Sequence, residues 1–182
     1  MLSLDATVTY AVSLAKQLTD EIGFLPKSRY HHAAERGRLR PQSLNGEPCG
    51  FLIYGPLRPN RPCHVWQTAV QTDARRLACA TELIEQLAAD AAAADCTCIL
   101  LRCALDLDAV HFWPAVGFQA VRLLPGGSRR GRQLVLYRRD LEPRSQLLLF
   151  KPNAQPFTPS THCPARGAGN GGVGGRIVIT RP

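Results

Sequence analysis

The residues best able to do chemistry lie between Cys63 and Ala80: Cys-His-Val-Trp-Gln-Thr-Ala-Val-Gln-Thr-Asp-Ala-Arg-Arg-Leu-Ala-Cys-Ala. The pattern predicts a strand over 63–70, a polar and basic stretch over 72–76, and a helix immediately after. First-turn amides of a helix lack intrahelical acceptors, and the helix dipole adds positive potential there. The junction is therefore a candidate anion site. Small side chains at Ala78 and Ala80 let a phosphate come close to the backbone. From these residues alone, an ordinary strand–helix turn with solvated arginines is an equal reading. Within the strand, His64 is the candidate proton acceptor, because imidazole exchanges protons near neutral pH. Strict alternation places 64, 66, 68 and 70 on one face, so His64 is expected on the side of Val70. Gln67 then faces the other way, where it is expected to satisfy a backbone group.

Other groupings carry less. Cys63-His64 and Cys96-x-Cys98 lack the spacing of a structural zinc site, and no metal is expected. His31-His32 falls on a polar helix and reads as solvated surface. The glycine run in 167–175 has neither the Lys-Ser/Thr ending nor the following helix of a phosphate loop, so it reads as flexible chain. Arg129, Arg130, Arg132, Arg138 and Arg139 form a basic edge that can meet a phosphate, an acidic substrate or nucleic acid, or simply face water.

These residues need a scaffold, and the chain is long enough to build one. Its 182 residues carry 22 Lys+Arg against 14 Asp+Glu, a formal charge of +8, with 45% hydrophobic and 20% charged residues. That is the profile of a globular domain. No apolar run reaches the length of a membrane span, and the first twenty residues do not have the order of a secretory signal. Seven cysteines, an odd number without a Cys-x-x-Cys pair, read as reduced thiols in a cytoplasmic protein.

Periodicity predicts helices over 10–18 and 27–38. A hairpin follows, with strands over 39–44 and 51–54 around the turn Asn45-Gly46-Glu47-Pro48. After the strand 63–70, Ala80, Leu83, Ile84, Leu87 and Ala91 line one face of the strongest helix. A largely apolar strand over 96–103 comes next. Asp106 is expected to cap a short helix over 107–116, ended by Gly117 and shortened by Pro114. Strands over 119–124 and 133–137 complete a mixed α/β domain of residues 1–141 with one parallel crossover at its centre. Residues 142–182 are rich in Pro and Gly and carry Arg144, Lys151, Arg166, Arg176 and Arg181 against Glu142 alone, so they are expected to form a disordered basic tail.

Two motifs together resemble the GNAT superfamily of N-acetyltransferases. Val70 followed by Arg75-Arg-Leu-Ala-Cys-Ala80 is similar to the family's Arg/Gln-x-x-Gly-x-Gly/Ala loop. Asp106-Leu-Asp-Ala-Val-His-Phe-Trp-Pro-Ala-Val-Gly-Phe118 is similar to its second motif, which ends in Gly-Phe. The resemblance covers roughly residues 8–141 and identifies a divergent member, with alanines at 78 and 80 in place of glycines. It implies a central mixed sheet with splayed parallel strands flanked by helices. It also implies acetyl-CoA as cosubstrate, with contacts from Ala69, Val70, Arg75, Arg76, Leu77, Ala78, Cys79, Ala80, Asp106 and Trp113. The Val70 amide is assigned to the thioester oxygen, and His64 takes the place of the family's catalytic Glu. Trp113 stands where many members have an acidic Tyr, and it is expected to pack against the pantetheine arm or the core. Tyr54 and Tyr137 are spare acids, each read first as a core aromatic. Because Ala78 opens the helix, a helical backbone is expected there.

The sequence therefore points to direct acetyl transfer onto a primary amine of unknown identity, by a monomer or homodimer without a membrane partner. The other class of reading is a catalytically degraded binding module, whose basic edge and tail take up nucleic acid or a protein.

Overall fold

The computed structural model describes residues 3–126 and 131–142. The Pro/Gly-rich tail, together with Arg129 and Arg130 of the expected basic edge, lies outside them. Helix α1 spans Leu4–Gln17 and starts earlier than periodicity predicts, because the Ser3 side chain accepts a hydrogen bond from the Ala6 N–H and caps it. A one-turn helix, α2 (Thr19–Ile22), follows, and α3 (Lys27–Glu35) stops short of Arg38. Gly37 takes φ 64° there, and the Gly37 and Arg38 amides fold back onto the Ala34 and Ala33 carbonyls.

Strands β1 (Leu39–Leu44) and β2 (Glu47–Tyr54) form the expected hairpin. Its turn is the two residues Asn45 and Gly46, with φ 53° and 87°, so Glu47 and Pro48 belong to β2 instead. Then come β3 (Cys63–Val70), a 3-10 turn over Thr72–Ala74, α4 (Cys79–Ala93) and β4 (Cys98–Ala104). Helix α5 (Ala109–Ala115), β5 (Gln119–Pro125) and β6 (Gln133–Asp140) complete the fold. Asp106 does not cap α5. Asp108 occupies the cap position without a side-chain bond, and Asp106 pairs with Arg132 at 3.0 Å.

The six strands lie in the order β1-β2-β3-β4-β6-β5, and β3–β4 is the parallel pair. Two cores lie on the two faces of the sheet, the second over β1–β3 alone. Leu83, Ile84, Leu87 and Ala91 of α4 pack with Leu52, Cys63, Ile99 and Leu101, joined by Trp113, Phe118 and Tyr137. On the opposite face, Val8, Ala11 and Leu14 of α1 and Tyr30 and Ala33 of α3 pack with Phe51, Ile53 and Ala69. A small third cluster, Cys49, Val70, Ala74 and Cys79, ties the end of β3 to the start of α4.

The phase of β3 changes partway along. Ile53 pairs with Gln67, but Tyr54 pairs with Val65, so Trp66 is an extra residue in the ladder, a β-bulge. Before the bulge Cys63 and Val65 join the α4 core; after it Ala69 joins the α1 core, and Val70 packs with Cys79 of α4.

Candidate active site

The loop between β3 and α4 holds an unusual density of free donors. The main-chain N–H groups of residues 76–81 meet no acceptor among the described residues, and the first closed bond of α4 runs from the Glu82 N–H to the Ala78 carbonyl at 2.9 Å. Arg76 and Ala78 both lie in the left-handed region, at φ 65° and 62°, while Arg75 between the 3-10 turn and Arg76 is extended. These left-handed residues turn the chain sharply just before α4, and successive N–H groups in such turns can form a concavity that holds an anion. A helix of fifteen residues then adds its dipole. The residues present fit a diphosphate: the donors are unpaired and no carboxylate side chain belongs to this stretch.

Two expectations about this loop need correction. Ala78 is left-handed rather than helical, because the chain must reverse from the 3-10 turn into α4. Its methyl group therefore sits where glycine is the favoured residue. Arg75 does not contribute to the cradle. Its guanidinium is bound by both carboxylate oxygens of Glu21 at 2.8 and 3.0 Å, and its amide is turned back to Thr72. Arg76 is exposed and meets no partner among the described residues.

Next to the cradle the sheet opens. Strands β3 and β4 pair only at Cys63↔Ile99 and His64↔Leu100, and beyond those positions each continues without the other. The Gln71 N–H donates to the Cys49 carbonyl at 2.8 Å, and a Cβ on Gly50 would meet the Ala69 carbonyl oxygen at 2.7 Å. The main-chain groups of Ala69 and Gln71 thus turn toward β2, and alternation turns those of Thr68 and Val70 into the gap. On the other bank, the bonds Leu141 N–H to Thr97 and Leu105 N–H to Gln133 set the phase that turns Arg102 into the gap. The backbone groups available to an inserted ligand are therefore those of Val70 and Thr68. Ala69, expected as a partner, is committed to the β2 ladder.

The bulge separates His64 from Val70. His64 precedes it and faces the α1 side of the sheet, whereas the Val70 side chain faces α4, so the expected common face does not exist. His64 is exposed and sits at the last paired position, where the gap begins. Along the strand it lies about 20 Å from Val70 at roughly 3.3 Å per residue. Gln67 acts as expected: its amide donates to the Gly23 carbonyl at 3.1 Å and accepts from the Tyr30 hydroxyl.

Trp113 is a core residue, with ring contacts to Phe112, Phe118 and Tyr137. The Tyr54 and Tyr137 hydroxyls donate to the Gly37 and Val110 carbonyls, and burial pushes both phenols above their ordinary range. The described arginines of the basic edge are paired. Arg132, Arg138 and Arg139 pair with Asp106, Asp140 and Glu85. Arg132 also donates to the Asp20 carbonyl at 2.6 Å and so links the β5–β6 connection to α2. Sequence reasoning missed Thr68, and no local pattern marks it. The six described cysteines are free and buried. Among the described residues no cluster could hold a metal, and no helix is long and apolar enough to cross a membrane.

A mixed sheet whose parallel pair opens beside a helix N-terminus rich in free amides defines an acyl-transferase type of fold. The sequence model of the acetyltransferase (GNAT) family matches residues 12–118, more than half of the chain, and the protein belongs to that family. Solved structures agree on the fold. Ard1 from Thermoplasma volcanium aligns with TM-score 0.66 at 16% identity, covering 78% of this chain and 95% of that one. The ribosomal-protein-S18-alanine N-acetyltransferase from Escherichia coli gives 0.58 at 15% identity, covering 78% and 91%. Chaetomium thermophilum Naa20, solved with a bisubstrate analogue, gives 0.59 at 16%, covering 74% and 84%. No curated protein matches the sequence.

Proposed function

We propose that the protein transfers an acetyl group from acetyl-CoA directly to a primary amine. The observation that supports this reading is continuity: the unpaired stretch of β3 and β4 runs into the free amides of residues 76–81. When bound, acetyl-CoA supplies the activated acetyl group as a thioester, with a diphosphate for the amides and pantetheine amides for the open strand edge. Residues 76–81 hold the diphosphate through main-chain N–H groups, with Arg76 adding charge. Val70 and Thr68 offer the strand-like partners that an inserted arm requires. An enclosed gap strengthens each of these bonds by excluding water.

The amine must lose a proton before it can attack. His64 is our candidate base, exposed at the closed end of the gap. Val70 cannot be the donor to the reacting oxygen if His64 is the base, because about 20 Å of strand separates them. We therefore assign the Val70 amide to the arm and expect the oxyanion donor nearer the bulge at Trp66. No tyrosine is placed as an acid, and a coenzyme A thiolate leaves without one. Free buried cysteines fit a reducing compartment, the cytoplasm.

Calorimetry with acetyl-CoA, followed by an amine screen that detects the released thiol, tests this reading. Saturable binding and amine-dependent thiol release are expected. Absence of binding would overturn it and favour a module that keeps only the fold.

A further inference from the structure

Among the described residues, no helix joins a core on one face of the sheet where the strands β4, β6 and β5 lie. Their residues facing α4 and α5, Ile99, Leu101, Val135 and Tyr137, are buried, whereas on the reverse side of β4 only the small Cys98 and Ala104 at its two ends are. There, Leu100, Leu134 and Leu136 are half-buried and Arg102, Arg122 and Arg138 are exposed. Register places Arg102 beside Leu136 and Leu136 beside Arg122, so two arginines flank a leucine across three strands. Their α-carbons are about 10 Å apart at the usual strand spacing. His64 borders the same face through its pairing with Leu100. Beyond it, Arg29 and Arg38 lie over the Trp66 ring, at 5.7 and 5.8 Å from its centroid.

This face has cations on both banks of the opening between β3 and β4, and almost nothing to neutralise them. Asp140 is the one carboxylate that the four strands present on this side, and it is bound to Arg138 at 2.7 Å. Arg29, Arg38, Arg102 and Arg122 form no ion pair with any described residue. Four unpaired guanidinium groups around an opening attract anions and repel cations.

We infer that this trough takes an acidic polypeptide segment adjoining the acetylated amino group, so that the acceptor is an amine on an acidic protein or peptide. The inference rests on the transferase reading above and names the acceptor class for it. An extended peptide sends alternate side chains to one side, carboxylates to Arg102 and Arg122 and apolar atoms to the leucine floor. Nucleic acid fits less well, because the β4–β6–β5 surface presents leucines and no aromatic ring, and the neighbouring Trp66 ring is already faced by Arg29 and Arg38. The chain's own residues 142–182 are a poor occupant, since they are basic themselves.

The test uses the full chain and two amino-terminal peptides of equal length, one with Glu and Asp at positions two to five and one with Lys there. Thiol release should favour the acidic peptide at least tenfold in kcat/KM. The double variant Arg102→Glu, Arg122→Glu should remove that preference with little change in Tm, because both side chains are exposed. Anisotropy of the labelled acidic peptide reads binding independently of turnover and should weaken at least tenfold in the variant. Equal use of the two peptides, or unchanged peptide binding in the variant, overturns the inference while leaving the transferase intact. Tighter binding of single-stranded RNA than of the acidic peptide, lost in the variant, also overturns it. If acetyl-CoA itself fails to bind, the transferase reading falls, and anisotropy still decides whether the trough is a peptide site.

Discussion

His64 and Val70 stand an even number of positions apart on one strand, yet they face opposite sides of the sheet because Trp66 is an extra residue between them. The bulge moves His64 to the face that α1 and α3 only partly cover, beside Leu100 at the closed end of the gap. It also leaves Val70 packed on Cys79, with its amide directed into the gap. One inserted residue thus puts the His64 and Val70 side chains on different faces of the sheet.

His64→Ala should lower kcat about 100-fold, the ordinary scale of a lost general base, and leave acetyl-CoA affinity within twofold. Steady-state kinetics beside calorimetry check this. Undiminished kcat would remove His64 from the mechanism.

The amide of Val70 can be deleted without touching the ladder. Val70→Pro removes a gap-facing donor, whereas Ala69→Pro removes one that serves β2. Acetyl-CoA affinity should fall at least tenfold in the first variant with most of the stability retained. The second should lose stability heavily. If Val70→Pro binds acetyl-CoA as well as the parent, the strand-like insertion is wrong.

Ala78 holds φ 62°, which costs an L-residue about 1 kcal/mol relative to glycine. Ala78→Gly should therefore raise unfolding free energy in urea by about 0.5–1 kcal/mol, opposite to the usual effect of glycine near a helix. Destabilisation of that size would mean that Ala78 opens α4 in helical conformation.

Arg139 bridges Glu85 of α4 and the Val116 carbonyl at the end of α5. The hydrogen bond from Arg139 holds the Glu85 carboxyl below its ordinary range. A depressed carboxylate pKa means stability that is present above the unfolded value, near about 4.3, and lost as pH falls through the folded one. Glu85→Gln should narrow the Tm difference between pH 6 and pH 3, by a modest amount because the pair is half exposed. An identical acid profile in the variant would show that this pair does not contribute.

Burial pushes the Cys49 and Cys63 thiols up to about 12, so both are neutral at pH 8. Since only thiolates alkylate readily, native protein should leave them unlabelled by iodoacetamide for hours and label them fully in denaturant, as read by mass spectrometry. Rapid labelling of native Cys49, whose sulfur lies 3.4 Å from that of Cys79, would mean that the join between β2 and α4 opens often.

Much of the fold is legible in the sequence. The strand 63–70 and the strand 39–44 agree with the structure to the residue, because Pro62, Gly46 and the apolar runs delimit them locally. The motif at 75–80 and the Gly117-Phe118 ending carried the family by types and spacing alone. Helix α2 was missed because four residues have no period to detect. The Trp66 bulge was invisible because nothing in Val65-Trp66-Gln67 violates strand propensity.

What the amino-acid order determined by itself was the succession of elements, the location of the basic loop between β3 and α4 and the excess of arginine. These depend on interactions a few residues apart. Only the folded chain decided which side His64 faces, that Ala78 bends to the left, and which arginines stay unpaired. Each of those depends on a partner far along the chain: β2 setting the register of β3, α4 anchored on Cys49, and Glu85 of α4 meeting Arg139 of β6.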